Sequence, residues 1–259
     1  MEYITSRTNQ KILDIVKLTK NSSYRKAKQR FVVEGSLLSN EAASSDYRIE
    51  TMLLTSKAMQ RYYSQVASAM EKADHVYEIT QDIAGKLTTQ QSTQGIFCVL
   101  KYKEYQDNSI DFSLRRVLLL EDISEPTNLG AISRSALAFG FDTLILSEET
   151  TDWLSIKALR ASMGALLHMN VVTLNIKEAI TALKENDFFV MAAALSEDAI
   201  DIKRIETTNR LALAIGNEAN GLSKETIALC NRTVVIKTDN RIQSLNAAVA
   251  AAILMYCLK

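Results

Sequence analysis

The chain has 259 residues, 47% of them apolar, and its 30 Lys and Arg balance its 30 Asp and Glu. That length and composition exclude a chain too polar to build a core, and they allow one large domain or two modest ones. The zero net charge is unevenly spread: residues 1–30 carry eight basic and two acidic side chains, a net +6 that leaves −6 for the remainder. A basic segment on an otherwise acidic chain favours a polyanionic partner, with a solvated helix face as the plainer alternative.

Taken in order, residues 5–20 read as a helix with Ile12, Ile15, Val16 and Leu18 on a ragged apolar side. Residues 31–34 form a strand, Gly35-Ser36 opens a helix over 37–43, and a strand at 49–54 leads to a helix over 57–73. Strands at 76–79 and 95–100 complete a small α/β unit, with a polar Gln/Thr/Ser stretch between them. Residues 101–113 are charged and polar and read as a linker. Then strands at 117–120, 142–146, 171–174 and 188–194 alternate with helices at 129–140, 155–162 and 177–185. Apolar strands alternating with helices predict a parallel sheet covered on both faces.

The chain is organised around residues 210–259. An apolar strand, 211–215, stops at Gly216, and a turn carrying Asn217, Glu218 and Asn220 closes at Gly221. Ser223 reads as the N-cap of a helix over 225–229. A strand at 233–236 enters a polar loop of Lys237, Thr238, Asp239, Asn240 and Arg241. The last helix begins near Ser244 and has no charged side chain over 247–258, so burial nearly all round is expected. It is too short for a membrane span. Two amide-rich loops thus follow two strand ends, the place where open α/β sheets bind ligands. Asn246 at the mouth of an apolar helix calls for a partner.

Other chemistries find little support. The glycines of Gly216 to Gly221 fit the phosphate-loop spacing, but Leu222 stands where the lysine is required, which argues against a nucleoside triphosphatase. No G-x-G-x-x-G follows a strand. His75 and His168 are isolated, so no metal is expected. Cys98, Cys230 and Cys257 sit in or beside apolar runs and read as buried free thiols of a reducing compartment. The first residues lack the apolar core of a signal peptide, and a cytoplasmic protein is expected.

These C-terminal residues carry a resemblance. Gly216-Asn-Glu-Ala-Asn-Gly-Leu-Ser223, then Ile236, then Ser244-Leu-Asn246, resemble the second and third motifs of the SpoU (TrmH-type) RNA ribose methyltransferases of the SPOUT class. Asn128-Leu-Gly-Ala-Ile-Ser-Arg134 is similar to the first motif, with Glu125 and Thr127 where the family has Asp and Gly. Read from the residues alone, Asn128 is a helix N-cap and Arg134 a surface ion-pair residue. Residues 159–165, Leu-Arg-Ala-Ser-Met-Gly-Ala, resemble a family segment whose serine and glycine line the active-site side. The segments at 31–42 and 92–100 resemble the ribosomal-protein L30e-like substrate-binding domain of many such enzymes, with Thr93 where a proline is usual.

The resemblance implies an α/β chain: an L30e-like RNA-binding domain over 1–103, a linker over 104–114, and a parallel-sheet SPOUT domain over 115–259 with a C-terminal trefoil knot. It implies methyl transfer from S-adenosylmethionine to a ribose 2′-hydroxyl of tRNA or rRNA by a homodimer. Catalysis would fall to Asn128, Arg134, Glu218, Ser244 and Asn246. Gly216, Asn217, Gly221, Ile236 and Leu245 would hold the cofactor. Lys237, Thr238 and Asn240 depart from the family pattern and keep open an RNA-binding protein without catalysis.

Overall fold

The computed structural model describes residues 1–102, 109–206, 208–239 and 244–259. Residues 104–108 of the expected linker and the Asn240 departure lie outside the described residues. The chain divides into two compact units: Met1–Gln106 with Asp152–His168, and Asp107–Thr151 with Met169–Lys259. The segment Asp152–His168, expected in the C-terminal domain, thus groups with the first unit.

The first unit runs β1 (Glu2–Ile4), α1 (Gln10–Lys20), α2 (Ser22–Lys28), β2 (Arg30–Glu34), α3 (Ser36–Ser44), β3 (Ile49–Leu54), α4 (Ser56–Lys72), β4 (His75–Ile79), α5 (Gln81–Leu87) and β5 (Ile96–Lys101). Its sheet has the order β1-β4-β3-β5-β2, with β5 antiparallel to both neighbours. Side-chain caps set the helix starts: Asn9, Asn21, Thr55 and Thr80 each accept a backbone N–H. The Asn9 cap is why α1 begins at Gln10 rather than near Thr5. Gly35, at φ +101°, has no side chain to cap α3, and Gln94 Oε1 accepts from Ser36 N at 2.7 Å instead. Strand β1 and helices α2 and α5 go beyond the expected elements.

The basic N-terminal segment is therefore folded structure. Arg25 is buried at 4% exposure; its Nε donates to Asp152 Oδ2 at 2.9 Å and its Nη1 to Leu18 O at 2.6 Å. Arg7 pairs with Asp82 and Arg30 with Glu50. Lys11 is exposed over the Tyr77 ring, and Lys17, Lys20, Lys26 and Lys28 are exposed as well, with Lys17 and Lys28 over the Tyr24 ring.

The second unit runs β6 (Arg116–Leu120), α6 (Pro126–Ala138) and β7 (Thr143–Leu146). The chain then enters the first unit through α7 (Ile156–Ala161) and a 3-10 turn at Ala165–Leu167. It continues in β8 (Asn170–Thr173), α8 (Ile176–Glu185), β9 (Phe189–Ala193), β10 (Ile200–Asp201), β11 (Leu211–Ile215), α9 (Lys224–Leu229), β12 (Arg232–Val235) and α10 (Ala247–Cys257). Seven strands lie in the order β10-β12-β9-β11-β6-β7-β8, and every pair is parallel, as the alternation predicted. Central β11 is buried along its whole length, consistent with its unbroken apolar run.

Two expectations about α10 need correction. The helix starts at Ala247 because Asn246, not Ser244, is its N-cap, accepting from Ala248 N and Val249 N. Nor is it buried all round: Ala251, Leu254 and Met255 are covered, while Val249, Ile253 and Tyr256 are 49%, 37% and 58% exposed. Lack of charge ruled out no solvent-facing side within one chain. The thiols are free, but Cys98 alone is buried; Cys230 is half-buried and Cys257 exposed. Among the described residues no helix is long and apolar enough to cross a membrane, and no cluster of metal-ligating side chains occurs.

Removing one partner of a buried ion pair strands the other charge, at a cost of about 3–5 kcal/mol. Asp152 is partly solvated, so Arg25→Ala is expected at the lower end, about 3 kcal/mol, in denaturant unfolding. The Arg25→Met, Asp152→Leu double variant should recover most of that loss.

Candidate active site

Strands β12, β9 and β11 are neighbours and all parallel, so their carboxyl ends share one edge of the sheet. The loops leaving them, together with the start of α10, enclose a cavity of about 400 Å³. Ala193 to Leu195 follow β9, Gly216 to Leu222 follow β11, Ile236 and Thr238 follow β12, and Ser244 and Leu245 precede α10. Three segments far apart in sequence thus converge where a parallel sheet offers a crevice.

The turn after β11 is built tightly. Asn217 N donates to Gly221 O at 3.1 Å, and Gly221 N returns a bond to Asn217 O at 2.9 Å. Gly221 takes φ +69° to close the turn. Asn217 Oδ1 accepts from Ala219 N and Asn220 N, and its Nδ2 donates to Asp122 O at 2.7 Å. A Cβ on Gly216 would stand 2.1 Å from the Gly221 carbonyl carbon and 2.2 Å from Leu222 N, so only glycine fits.

Glu218 ties this turn to the loop after the adjacent strand β6. One carboxylate oxygen accepts from Ser124 N at 3.1 Å and Ser124 Oγ at 2.9 Å; the other accepts from Glu125 N at 3.2 Å and Asn128 Nδ2 at 2.9 Å. Burial alone would raise its pKa, but the bonds from Asn128 and Ser124 outweigh that and hold it down at about 2. Glu218 is therefore an anionic anchor with its lone pairs engaged, not a proton acceptor at neutral pH. The chain of bonds continues: Asn246 Nδ2 donates to Asn128 Oδ1 at 3.1 Å. The start of α10, the start of α6 and the Gly216 turn are linked in one polar network.

Asn128 is not the N-cap expected from the sequence. Glu125 occupies that position with Pro126 at the first helical one, so the Asn128 amide, within the first turn, is free to bridge Glu218 and Asn246. Gly216, Asn217, Glu218, Gly221, Ile236, Ser244 and Leu245 all line the cavity. Arg134 does not: it is exposed on α6, with no side-chain hydrogen bond or ion pair among the described residues. Nor do Ser162 and Gly164 line it; Ser162 is buried, donating to Leu159 O. Sequence reasoning missed Glu121, which accepts from Ser223 N, Ser223 Oγ and Thr226 Oγ1 and so fixes the start of α9. A charged residue directly after the apolar run of β6 was the available signal.

The cavity suits S-adenosylmethionine. Its volume lies in the range of small-molecule sites. Its walls pair apolar side chains, such as Leu245 and Leu254, with the backbone amides of a turn that excludes even one methyl at Gly216.

Gly216→Ala should leave the circular dichroism spectrum native but weaken S-adenosylmethionine binding at least ~100-fold in calorimetry, about 2.7 kcal/mol. Glu218 gives a pH signature. Its folded pKa is depressed, so its contribution to stability is complete above its ordinary value of 4.5 and fades as pH falls toward about 2. The stability gap between wild type and Glu218→Gln, followed by denaturant unfolding, should be constant from neutral pH to about 5 and shrink below it.

The chain resembles known RNA methyltransferases. Residues 115–256 match the SpoU rRNA Methylase family, and residues 9–98 match the MRM3-like substrate binding domain. Over its full length the chain is 29% identical to the whole of the Bacillus subtilis 23S rRNA (guanosine(2553)-2'-O)-methyltransferase RlmP. It is 33% identical to a Staphylococcus aureus putative TrmH family tRNA/rRNA methyltransferase over 63% of this chain and 68% of that one. An AdoMet-bound rRNA methyltransferase from Sinorhizobium meliloti superimposes with a TM-score of 0.87 at 25% identity, covering 99% of this chain and 97% of that one. The chain belongs to the SpoU family, the S-adenosylmethionine-dependent enzymes that methylate ribose 2′-hydroxyls of RNA.

Proposed function

We propose that this protein methylates a ribose 2′-hydroxyl of ribosomal RNA, as a cytoplasmic homodimer whose C-terminal segment forms a trefoil knot. The observation that carries the reading is the convergence of the Gly216 turn, Ile236 and Leu245 on one cavity, bound through Glu218 to Asn128 and Asn246. Ribosomal RNA is favoured because the full-length Bacillus relative is named for 23S rRNA. Thr238, one of the departures from the family pattern, is a cavity wall rather than an obstruction.

When bound, S-adenosylmethionine supplies a methyl group already attached to a good leaving group. What remains for the chain is to hold the cofactor, orient the ribose hydroxyl, exclude water and ease a proton away. Gly216, Ile236 and Leu245 hold the cofactor through backbone contacts. Asn128 is fixed by Glu218 and in turn holds Asn246, so their amides are oriented before the ribose arrives. Glu218, held anionic at about 2, positions rather than accepts the proton. Arg134 has no ion pair among the described residues, and a guanidinium is a poor proton acceptor. It serves better as a fork that grips an RNA phosphate and steadies charge on the attacking oxygen. Lys17, Lys20, Lys26 and Lys28 add non-specific RNA affinity.

Homodimer formation is supported by the exposed Val249, Ile253 and Tyr256 of α10, an apolar row that a twin subunit would cover. Light scattering should return twice the 28.8 kDa chain mass, and Ile253→Asp should shift it to a monomer. For the chemistry, Arg134→Lys keeps the charge but loses the bidentate geometry. Single-turnover assays on ribosomal RNA should show at least ~100-fold slower methyl transfer with cofactor affinity within about twofold. A lysine variant within tenfold of wild type would remove Arg134 from the mechanism.

A further inference from the structure

The first unit holds a second cavity, of about 530 Å³, bounded by Glu34, Leu37, Tyr62, the 90–94 loop, Arg160 and Met163. Its floor is chemically incomplete. The Glu34 side chain is 2% exposed; Oε1 accepts from Thr88 Oγ1 at 2.6 Å, while Oε2 has no hydrogen-bond partner. Arg160 Nη2 donates to Thr89 Oγ1 at 3.3 Å, while buried Nη1 stands 3.8 Å from Glu34 Oε2 without a hydrogen bond. An acceptor and a donor thus lie side by side as a long ion pair, each without a hydrogen bond, among the residues that line the pocket. Buried polar groups are rarely left so unless something else completes them.

The rim is apolar and aromatic. Tyr62 is half-buried, Leu37 is 43% exposed and Met163 is 46% exposed. Met163 keeps φ +52° and Gly164 φ +94°, and a Cβ on Gly164 would lie 2.5 Å from Glu41 Cγ, so this unusual turn is locked against α3. Strain held by packing at an exposed apolar side chain is a mark of a binding rim. The Arg61 guanidinium lies 5.3 Å over the Tyr62 ring and is exposed to solvent.

We propose that this cavity receives one unstacked RNA base bearing an N–H beside a C=O, the edge shared by guanine and uracil. The base N–H donates to Glu34 Oε2, its carbonyl accepts from Arg160 Nη1, and its flat face lies against Tyr62 and Met163. Arg61 meets the adjoining phosphate. An amide side chain offers the same polar edge, but the ring-and-methionine rim and the nearby exposed cation favour a base. The cavity would thereby choose which RNA segment the enzyme engages. The inference rests on the RNA reading above, and not on the methyl-transfer chemistry.

The full chain, labelled at its methionine methyls, is titrated with the ribohexanucleotides U6 and C6 and with uridine 5′-monophosphate, reading the Met163 signal by NMR after assignment with Met163→Leu. U6 should shift it saturably, with C6 and the monophosphate each at least tenfold weaker. Arg160→Gln and Tyr62→Leu should each weaken U6 binding at least tenfold, with S-adenosylmethionine affinity unchanged. No saturable shift with U6, equal affinity for C6, or wild-type affinity in both variants would overturn the proposal. Equal affinity for the monophosphate would assign the pocket to a free nucleotide and overturn its role in RNA choice. Failure of wild type to bind S-adenosylmethionine would count against the methyltransferase reading alone.

Discussion

The carboxylate of Glu218 is the interaction on which the catalytic end of the molecule depends. Two adjacent strands, β6 and β11, deliver separate loops to the same edge, and nothing in the sheet itself fixes those loops together. Four hydrogen bonds to Glu218 from Ser124, Glu125 and Asn128 do so, beside the one from Asn217 Nδ2 to Asp122 O, and Asn128 passes the constraint to Asn246 at the head of α10. A carboxylate accepting this many donors is held ionised, so the anchor persists across the working pH range. The consequence for catalysis is positional. On the proposed reading, the amides that would face the ribose are oriented by a charge that does not itself exchange protons.

Glycine supplies the complementary constraint. Gly216 lets the backbone of the turn fold back to within contact of Gly221 and Leu222, and these residues line the cavity. An anchor without that close approach would hold a loop with no cavity behind it. The close approach without the anchor would leave the turn free to drift from α6. The parallel sheet makes both economical, because β11 is buried along its length and its carboxyl end is therefore a rigid base.

Much of this was legible from residues. A parallel sheet followed from apolar runs alternating with helical segments, which marked six of its seven strands but not the two-residue β10, and the Gly216 turn followed from a strand that stops at glycine. What escaped did so for physical reasons. A three-residue strand such as β1 carries no period to read. Arg25 looks like any other cation of a basic segment until the fold brings Asp152, 127 residues away, against it. The absence of charge in α10 pointed to burial nearly all round, yet Val249, Ile253 and Tyr256 face outward, because an uncharged apolar side need not be covered within one chain. The grouping of Asp152–His168 with the first unit depends on packing between distant segments, and the run Leu-Arg-Ala-Ser-Met-Gly-Ala gave no local sign of it. Asn128 shows the same limit in one residue: local rules make it a helix cap, and only the position of Glu218 shows why the cap role passes to Glu125.

The central claim is that one cavity, at the carboxyl ends of β9, β11 and β12, holds the methyl donor. Hydrogen exchange of the full chain with and without S-adenosylmethionine tests it most directly. The account predicts saturable protection of the amides of residues 216–222, 235–239 and 244–250, with the first unit unchanged. Absence of protection at millimolar cofactor, or protection centred on another part of the chain, would contradict it.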